Sequence, residues 1–174
     1  GIRGKGLRLD GFTTCLKGNE TKTLKVGQEL TVELWLAIGE YPWNWCPALT
    51  TEVGDTSGFR LTIGPYGQVS MEACIDEQWK SCTTGRAIVP LRKWMHLVGI
   101  YRANKGLEVY VNGERKASSE ISGEMKGSVG NVLAGMVASP RKPSDIHRTF
   151  GTLKDYYGLE GIIDEIKIYG VALS

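Results

Sequence analysis

Helical periodicity is the first thing this chain lacks. Nowhere in its 174 residues do apolar positions recur at helical spacing over three turns, which excludes a helical bundle and predicts an all-β fold. Charge of one sign is missing too. Lys and Arg number 21 against 19 Asp and Glu, with no basic cluster longer than three residues. An extended surface for nucleic acid therefore has no compositional support, nor does one for anionic membrane. No apolar run approaches the ~20 residues of a membrane-spanning helix, so membrane insertion is not expected. With two histidines and no C-x-x-C pair, a zinc site is not expected either. No G-x-S-x-G is present to seat a nucleophilic serine beside His96 or His147. The start at Gly1, without a signal peptide, reads as a mature segment or an excised module.

What is abundant is glycine, at 23 residues, punctuating short runs every 8 to 12 positions as in all-β domains. The pattern is clearest between Leu91 and Ala117. Trp94, His96, Val98 and Ile100 share one parity and Met95, Leu97, Gly99 and Tyr101 the other, so this strand carries apolar bulk on both faces. After a hairpin-type loop over 103–106, Leu107, Val109 and Val111 alternate with Glu108 and Tyr110. Asn112-Gly113 then signals a type I′ turn into a third strand from Glu114 to Ala117. Three adjacent antiparallel strands are thus predicted from local pattern alone.

Elsewhere the chain reads as more short strands. Leu7 and Leu9 alternate with Arg8 and Asp10, and Phe12 to Leu16 forms a short second strand. Leu24 and Val26 mark a further piece. Leu30, Val32, Leu34, Leu36 and Ile38 project to one side, toward a core between two sheets, while Thr31, Glu33, Trp35 and Ala37 take the other. Gly39 to Pro47 reads as a loop with three exposed aromatics, and Ala48 to Val53 as a strand. Phe59, Leu61 and Ile63 alternate with Arg60 and Thr62. Val69, Met71, Ala73 and Ile75 point inward, and Gln68, Ser70, Glu72 and Cys74 outward. Strands are also expected from Asn131 to Val137 and from Ile162 to Tyr169, separated by a long loop from Ala138 to Tyr157. Neither a linker nor an internal repeat interrupts the chain, so residues 1–174 are read as one domain of two antiparallel sheets.

Cys74 and Cys82 flank a stretch that reads as a hairpin loop, where opposed positions meet disulfide geometry. Closing that loop would stabilise by about 2–3 kcal/mol. Cys15 and Cys46 are then the remaining pair, the alternative being four free buried thiols in a cytosolic protein. The bridged reading, with the sequon Asn19-Glu20-Thr21, points to an extracytoplasmic protein, whether secreted, periplasmic or on a cell surface.

The stretch W-x-H-L-V-G-I-Y followed by G-L-E-V-Y-V-N-G-E (Trp94 to Glu114) resembles the centre of the laminin-G/pentraxin-like branch of the concanavalin A-like lectin/glucanase superfamily. Two flanking blocks agree: Gly6-Leu7-Arg8-Leu9-Asp10-Gly11 with Leu30 to Leu36, and Gly161 to Tyr169 followed by Val171 to Ser174. The resemblance spans nearly the whole chain and implies a two-sheet antiparallel β-sandwich of jelly-roll type. It implies a lectin-like module that binds oligo- or polysaccharide, attached to a glycoside hydrolase or a surface glycan-binding protein and either monomeric or part of a larger multidomain chain. A laminin-G-like protein-interaction or adhesion module is the alternative class, and a glycosidase the third. It also implies calcium, with Asp10 and Asp164 as ligands, because terminal strands of a closed sandwich are commonly neighbours. The competing reading is that Asp10 caps the Asp-Gly turn and Asp164 accepts backbone donors.

For catalysis, Glu160, Asp164 and Glu165 form the densest late acidic group, but Asp164 and Glu165 have opposite parity. Glu72, Asp76 and Glu77 straddle a turn. Neither set presents two carboxylates to one glycosidic bond, so no catalytic residue is assigned. Sugar sites pair an aromatic platform with short polar groups. The candidates are Trp43, Trp45, Trp79, Tyr156 and Tyr157, with Asp145, His147 and Arg148 as polar partners. Trp35 and Trp94 lie in strands and are assigned to the core, where truncation to alanine would cost about 3–5 kcal/mol.

Overall fold

The computed structural model describes residues 1–18, 26–53, 56–125, 130–139 and 156–173. Strands β1 (Leu7–Asp10), β2 (Leu16–Lys17), β3 (Glu29–Glu40) and β4 (Cys46–Thr50) come first along the chain. Next are β5 (Phe59–Ile63), β6 (Val69–Ile75), β7 (Gln78–Thr83) and β8 (Met95–Arg102). The last four are β9 (Gly106–Val111), β10 (Glu114–Ser119), β11 (Leu133–Ala134) and β12 (Glu160–Tyr169). They form two antiparallel six-stranded sheets, ordered β1-β12-β3-β8-β9-β10 and β2-β11-β4-β5-β6-β7. No helix occurs among the described residues. The all-β sandwich of jelly-roll type stands as the sequence indicates.

Its core lies between the sheets and follows from alternation. Leu30, Val32, Leu34, Leu36 and Ile38 of β3 meet Leu61, Ile63, Val69 and Met71 of the opposite sheet, all of them fully buried. The expected three-strand unit β8–β9–β10 is present, with Leu97 opposite Val111 and Tyr101 opposite Leu107. Asn112 and Gly113 take φ of +52° and +82°, as a type I′ turn needs and as Asn-Gly tolerates best.

Several expectations are corrected. Trp35 and Trp94 are half-buried rather than core. Trp35 belongs to the outward parity of β3 and stacks on His96 of β8, ring centroids 5.0 Å apart. In β12 the register with β3 breaks between Asp164 and Lys167, and Glu165 takes φ +50°. This bulge shifts the alternation by one, so buried Ile163 and half-buried Ile168 both oppose inward residues of β3, Leu36 and Val32. β4 begins at Cys46 and β11 is two residues long. Of the two short early strands, the first forms as Leu16–Lys17, and Leu24 of the second lies outside the described residues together with the sequon at Asn19.

The cysteines are the largest correction: no disulfide joins any two of them. Cys74 and Cys82 do not flank a loop. The chain reverses at Asp76 and Glu77, whose φ values are +47° and +62°, and β7 starts at once. Cys74 then faces Trp79, and Cys82 faces Met71 three residues further down β6. Cys46 is fully buried in the core, and half-buried Cys15 lies outside it.

Candidate functional site

The outer face of the second sheet collects the polar positions of β5, β6 and β7. Arg60 and Thr62, Ser70 and Glu72, and Ser81 and Thr83 fall in register across three strands, with Thr62 opposite Ser70 and Glu72 opposite Ser81. Together with Asn44 and Trp45, from the turn before β4, five of these residues — Arg60, Ser70, Glu72, Ser81 and Thr83 — line a cleft of about 510 Å³. Trp79 flanks it on β7.

Arg60 is the centre of this floor. Its Nε donates to Glu72 Oε2 at 2.7 Å, one terminal nitrogen lies 2.7 Å from the same oxygen, and the other donates to Glu52 Oε2 at 2.9 Å. Its guanidinium also covers the Trp79 indole at 4.2 Å from the ring centroid. The side chains of Arg60, Glu52 and Glu72 are 15%, 3% and 14% exposed, so this ion triad is largely removed from water. Burial opposes the arginine's charge, but Glu72 and then Glu52 outweigh it and hold its pKa above the ordinary guanidinium value. Thr62 Oγ1 donates to Glu72 Oε1 at 2.8 Å, and the hydroxyls of Ser70 and Thr83 share a 2.8 Å bond. Ser81 and Thr83 are exposed.

Trp45 forms one wall. It is half-buried and lies against the backbone of Gly64, with Tyr157 Oη donating to its carbonyl at 2.7 Å. A large flat apolar surface is thereby fixed beside a row of hydroxyls.

A second cleft of about 310 Å³ opens at the strand ends, bounded by Asp10, Phe12, Glu40, Trp43, Tyr156 and Glu160. Tyr156 is 51% and Phe12 65% exposed there. Trp43 packs against the core and meets Tyr157 at 4.5 Å between ring centroids, and Tyr157 is 4% exposed. Tyr157 is therefore a buried brace and not a platform a ligand can reach. The three aromatics expected to be exposed in the 39–47 loop are all half-buried: Tyr41 donates to the Val89 carbonyl at 2.8 Å, and Trp43 and Trp45 are held as above.

The expected aromatic set thus divides, with Trp45 and Trp79 on the sheet face and Trp43, Tyr156 and Tyr157 at the strand ends. Asp145, His147 and Arg148 lie outside the described residues. The sequence does not single out Arg60, Ser70, Ser81 or Thr83, and it brings Glu72 forward only within an acidic set rejected for catalysis. Each carries the outward parity of its strand, but only the order β5-β6-β7 puts them side by side.

Asp10 and Asp164 do lie on neighbouring strands, but at different levels. Asp10 opposes Glu160, and Asp164 stands four residues further along β12, roughly 13 Å away at the usual rise per residue. Asp10 Oδ1 accepts from the amides of Phe12, Thr13 and Thr14 at 2.8–2.9 Å, and Oδ2 from the Thr13 hydroxyl at 2.7 Å. The Thr13 hydroxyl and these amides hold the Asp10 carboxyl far below the usual carboxylate range. Asp164 accepts from the amides of Arg3 at 3.1 Å and Glu165 at 2.9 Å. This arrangement does not fit a shared calcium site. No group of three or more ligating side chains able to hold a metal occurs among the described residues.

A laminin-G-type family model, described as the Concanavalin A-like lectin/glucanases superfamily, matches residues 13–174. No curated protein sequence matches the chain. Among solved structures, the chain is similar to the Ruminococcus gnavus IT-sialidase CBM40 bound to α2,3-sialyllactose, at 20% identity, TM-score 0.67, and coverage of 98% of this chain and 92% of that one. It is similar to the heptameric SAP-like pentraxin of Limulus polyphemus, at 18% identity and TM-score 0.63, over 97% and 75% of the two chains. Domain 4 of AbnA, a GH43 extracellular arabinanase from Geobacillus stearothermophilus in complex with arabinotriose, matches at 21% identity and TM-score 0.60, over 87% and 65%.

Proposed function

The chain belongs to the concanavalin A-like lectin/glucanase superfamily, and from that premise we propose that it is a non-catalytic carbohydrate-binding module whose ligand lies on the outer face of the β4–β7 sheet. The observation that carries this reading is the cleft in which Trp45, fixed on Gly64, borders the hydroxyls of Ser70, Ser81 and Thr83. A sugar ring offers a C–H face to an indole and hydroxyls to short polar side chains, and this surface has both. Support for a non-catalytic role comes from the carboxylates. Glu52 and Glu72 both turn onto Arg60, whereas glycoside hydrolysis needs two carboxyls facing one bond from either side. The sugar ligands named for two structural neighbours agree with the reading, and so does the extracellular setting named for one of them. An extracytoplasmic location now rests on such relatives alone, since the cysteines no longer argue for it. As an accessory module, it would gain avidity from a parent protein that holds several such sites or a catalytic domain.

The test is a glycan array or affinity electrophoresis with the chain and its Trp45→Ala variant. Binding that is lost in the variant, with the fold intact by circular dichroism, is expected. Binding unchanged by Trp45→Ala moves the site elsewhere, and the Trp43 and Tyr156 cleft is then the next to alter.

A further inference from the structure

We propose that the sheet-face cleft selects uncharged glycans and rejects acidic ones, an inference that rests on its being a carbohydrate site. To hold a sugar carboxylate, a protein needs a cation with spare donors aimed at the ligand, and the guanidinium fork serves this role best. Among the described lining residues Arg60 is the one cation. Its charge is already matched. All three of its nitrogens meet carboxylate oxygens of Glu72 and Glu52 at 2.7–2.9 Å, and its flat face is laid on Trp79. The ligand surface therefore meets an arginine whose charge two acids balance.

The same floor turns Glu72 toward the cleft. A carboxylate-bearing sugar placed over Ser70 and Thr83 comes next to Glu72, two residues along β6 on the same face, with no unpaired cation among the described lining residues to offset the repulsion. Ser81 and Thr83 leave the ligand side of the cleft open to solvent, so the repulsion acts across a surface that salt can reach and screen. A neutral sugar meets no such conflict. Ser81 and Thr83 are exposed hydroxyls, each able to donate and accept. The chemistry therefore differs from that of a sialic-acid receptor, although the fold is shared with a module crystallised with sialyllactose. Glu72 is the specificity residue on this argument: it binds the arginine from within and faces acidic ligands from without.

The experiment titrates glycan pairs that differ by a carboxylate: lactose against sialyllactose, methyl-esterified against free homogalacturonan, and arabino- and xylo-oligosaccharides against their uronate-substituted forms. Calorimetry at low and high salt is run on the chain and on Glu72→Gln. For a neutral glycan that binds, the acidic partner should bind weaker by about tenfold or more. Salt should narrow that gap in the unmodified chain, and Glu72→Gln should narrow it at low salt. The salt arm stands even where the variant is unstable. An acidic glycan bound as tightly as its neutral partner overturns the proposal while leaving carbohydrate binding intact. Silence on every glycan, neutral or acidic, instead removes the carbohydrate reading itself, and this inference with it.

Discussion

Trp45 rests on Gly64 so closely that a methyl group on Gly64 would stand 2.9 Å from Cη2 and Cζ3 of the indole and 2.6 Å from Oε1 of Gln68. Glycine is needed here for room, since side-chain carbons do not approach this closely without one of them moving. Gly64→Ala should therefore push Trp45 off its seat. The expected cost is about 1–3 kcal/mol of stability, the usual penalty for overfilling a packed site. Glycan affinity should fall with it, by calorimetry, and indole fluorescence should shift toward that of a more exposed ring. A variant of unchanged stability and affinity would show that the tryptophan is free to relocate.

The Arg60 triad makes a sharper prediction. Removing one partner of a buried ion group leaves the others unpaired, at a cost of about 3–5 kcal/mol, whereas replacing the whole group is far better tolerated. Arg60→Met should thus lower the urea midpoint strongly. Arg60→Met combined with Glu52→Gln and Glu72→Gln should recover much of the loss, despite carrying more substitutions. If the triple variant is less stable than the single one, the triad contributes through its shape and hydrogen bonds and not through charge balance.

Acid should destabilise the sandwich through identifiable carboxylates. Burial of Glu33 works to raise its pKa, but hydrogen bonds from Lys167 and Tyr169 outweigh it and leave the carboxyl lowered. Burial of Glu108 is likewise outweighed by Arg115 and Arg102. Asp10 is lowered by the Thr13 hydroxyl and by the amides of Thr14, Thr13 and Phe12. Groups with lowered native pKa values stabilise the fold fully above their unfolded values, near pH 4 to 4.5, and lose that contribution as pH falls through the native ones. The urea midpoint should therefore be flat from about pH 7 to 5 and drop below about pH 4. Asp10→Asn keeps an oxygen for the three amides but has no charge to lose, so it should flatten part of that drop. An identical acid profile in the variant would argue against Asp10 as one of the titrating groups.

What was legible in the chain beforehand was whatever neighbours along the sequence decide. Asn112-Gly113 dictates its own turn, and the alternation through β3, β8 and β9 assigns faces without knowledge of the partner sheet. The sandwich followed from these. The hairpin between β6 and β7 was misread because its reversal uses Asp76 and Glu77 at positive φ, where the usual signal is Asn or Gly. The bulge at Glu165 hides the true faces of β12 for a similar reason. The cleft was least legible of all. Trp45 was among the candidates, but its seat on Gly64 and the braces Trp43 and Tyr157 belong to segments up to 112 positions apart. Arg60 looked like an ordinary outward residue until Glu52 and Glu72 were placed on either side of it.

The cysteines give the last prediction, and it reaches beyond chemistry to location. Cys46, Cys74 and Cys82 are buried and Cys15 is half-buried, none joined to another. Burial pushes the thiols of Cys74 and Cys82 up from the ordinary value, which lowers the thiolate fraction that reacts. Cys74 Sγ, in addition, donates to the Thr56 carbonyl at 3.1 Å. A thiol reagent added to the native chain at neutral pH should therefore label Cys15 quickly and the other three slowly, and denaturant should release all four. Non-reducing mass measurement should show no hydrogen lost to disulfide formation. If the Cys74 and Cys82 sulfurs were bridged after purification from an oxidising compartment, the β6–β7 register, which sets Cys74 against Trp79 and Cys82 against Met71, would have to slip by three residues. Such a slip would carry Ser81 and Thr83 away from Glu72 and Ser70 and dismantle the cleft. Thiol counting is thus a direct check on the site as well as on the cysteines.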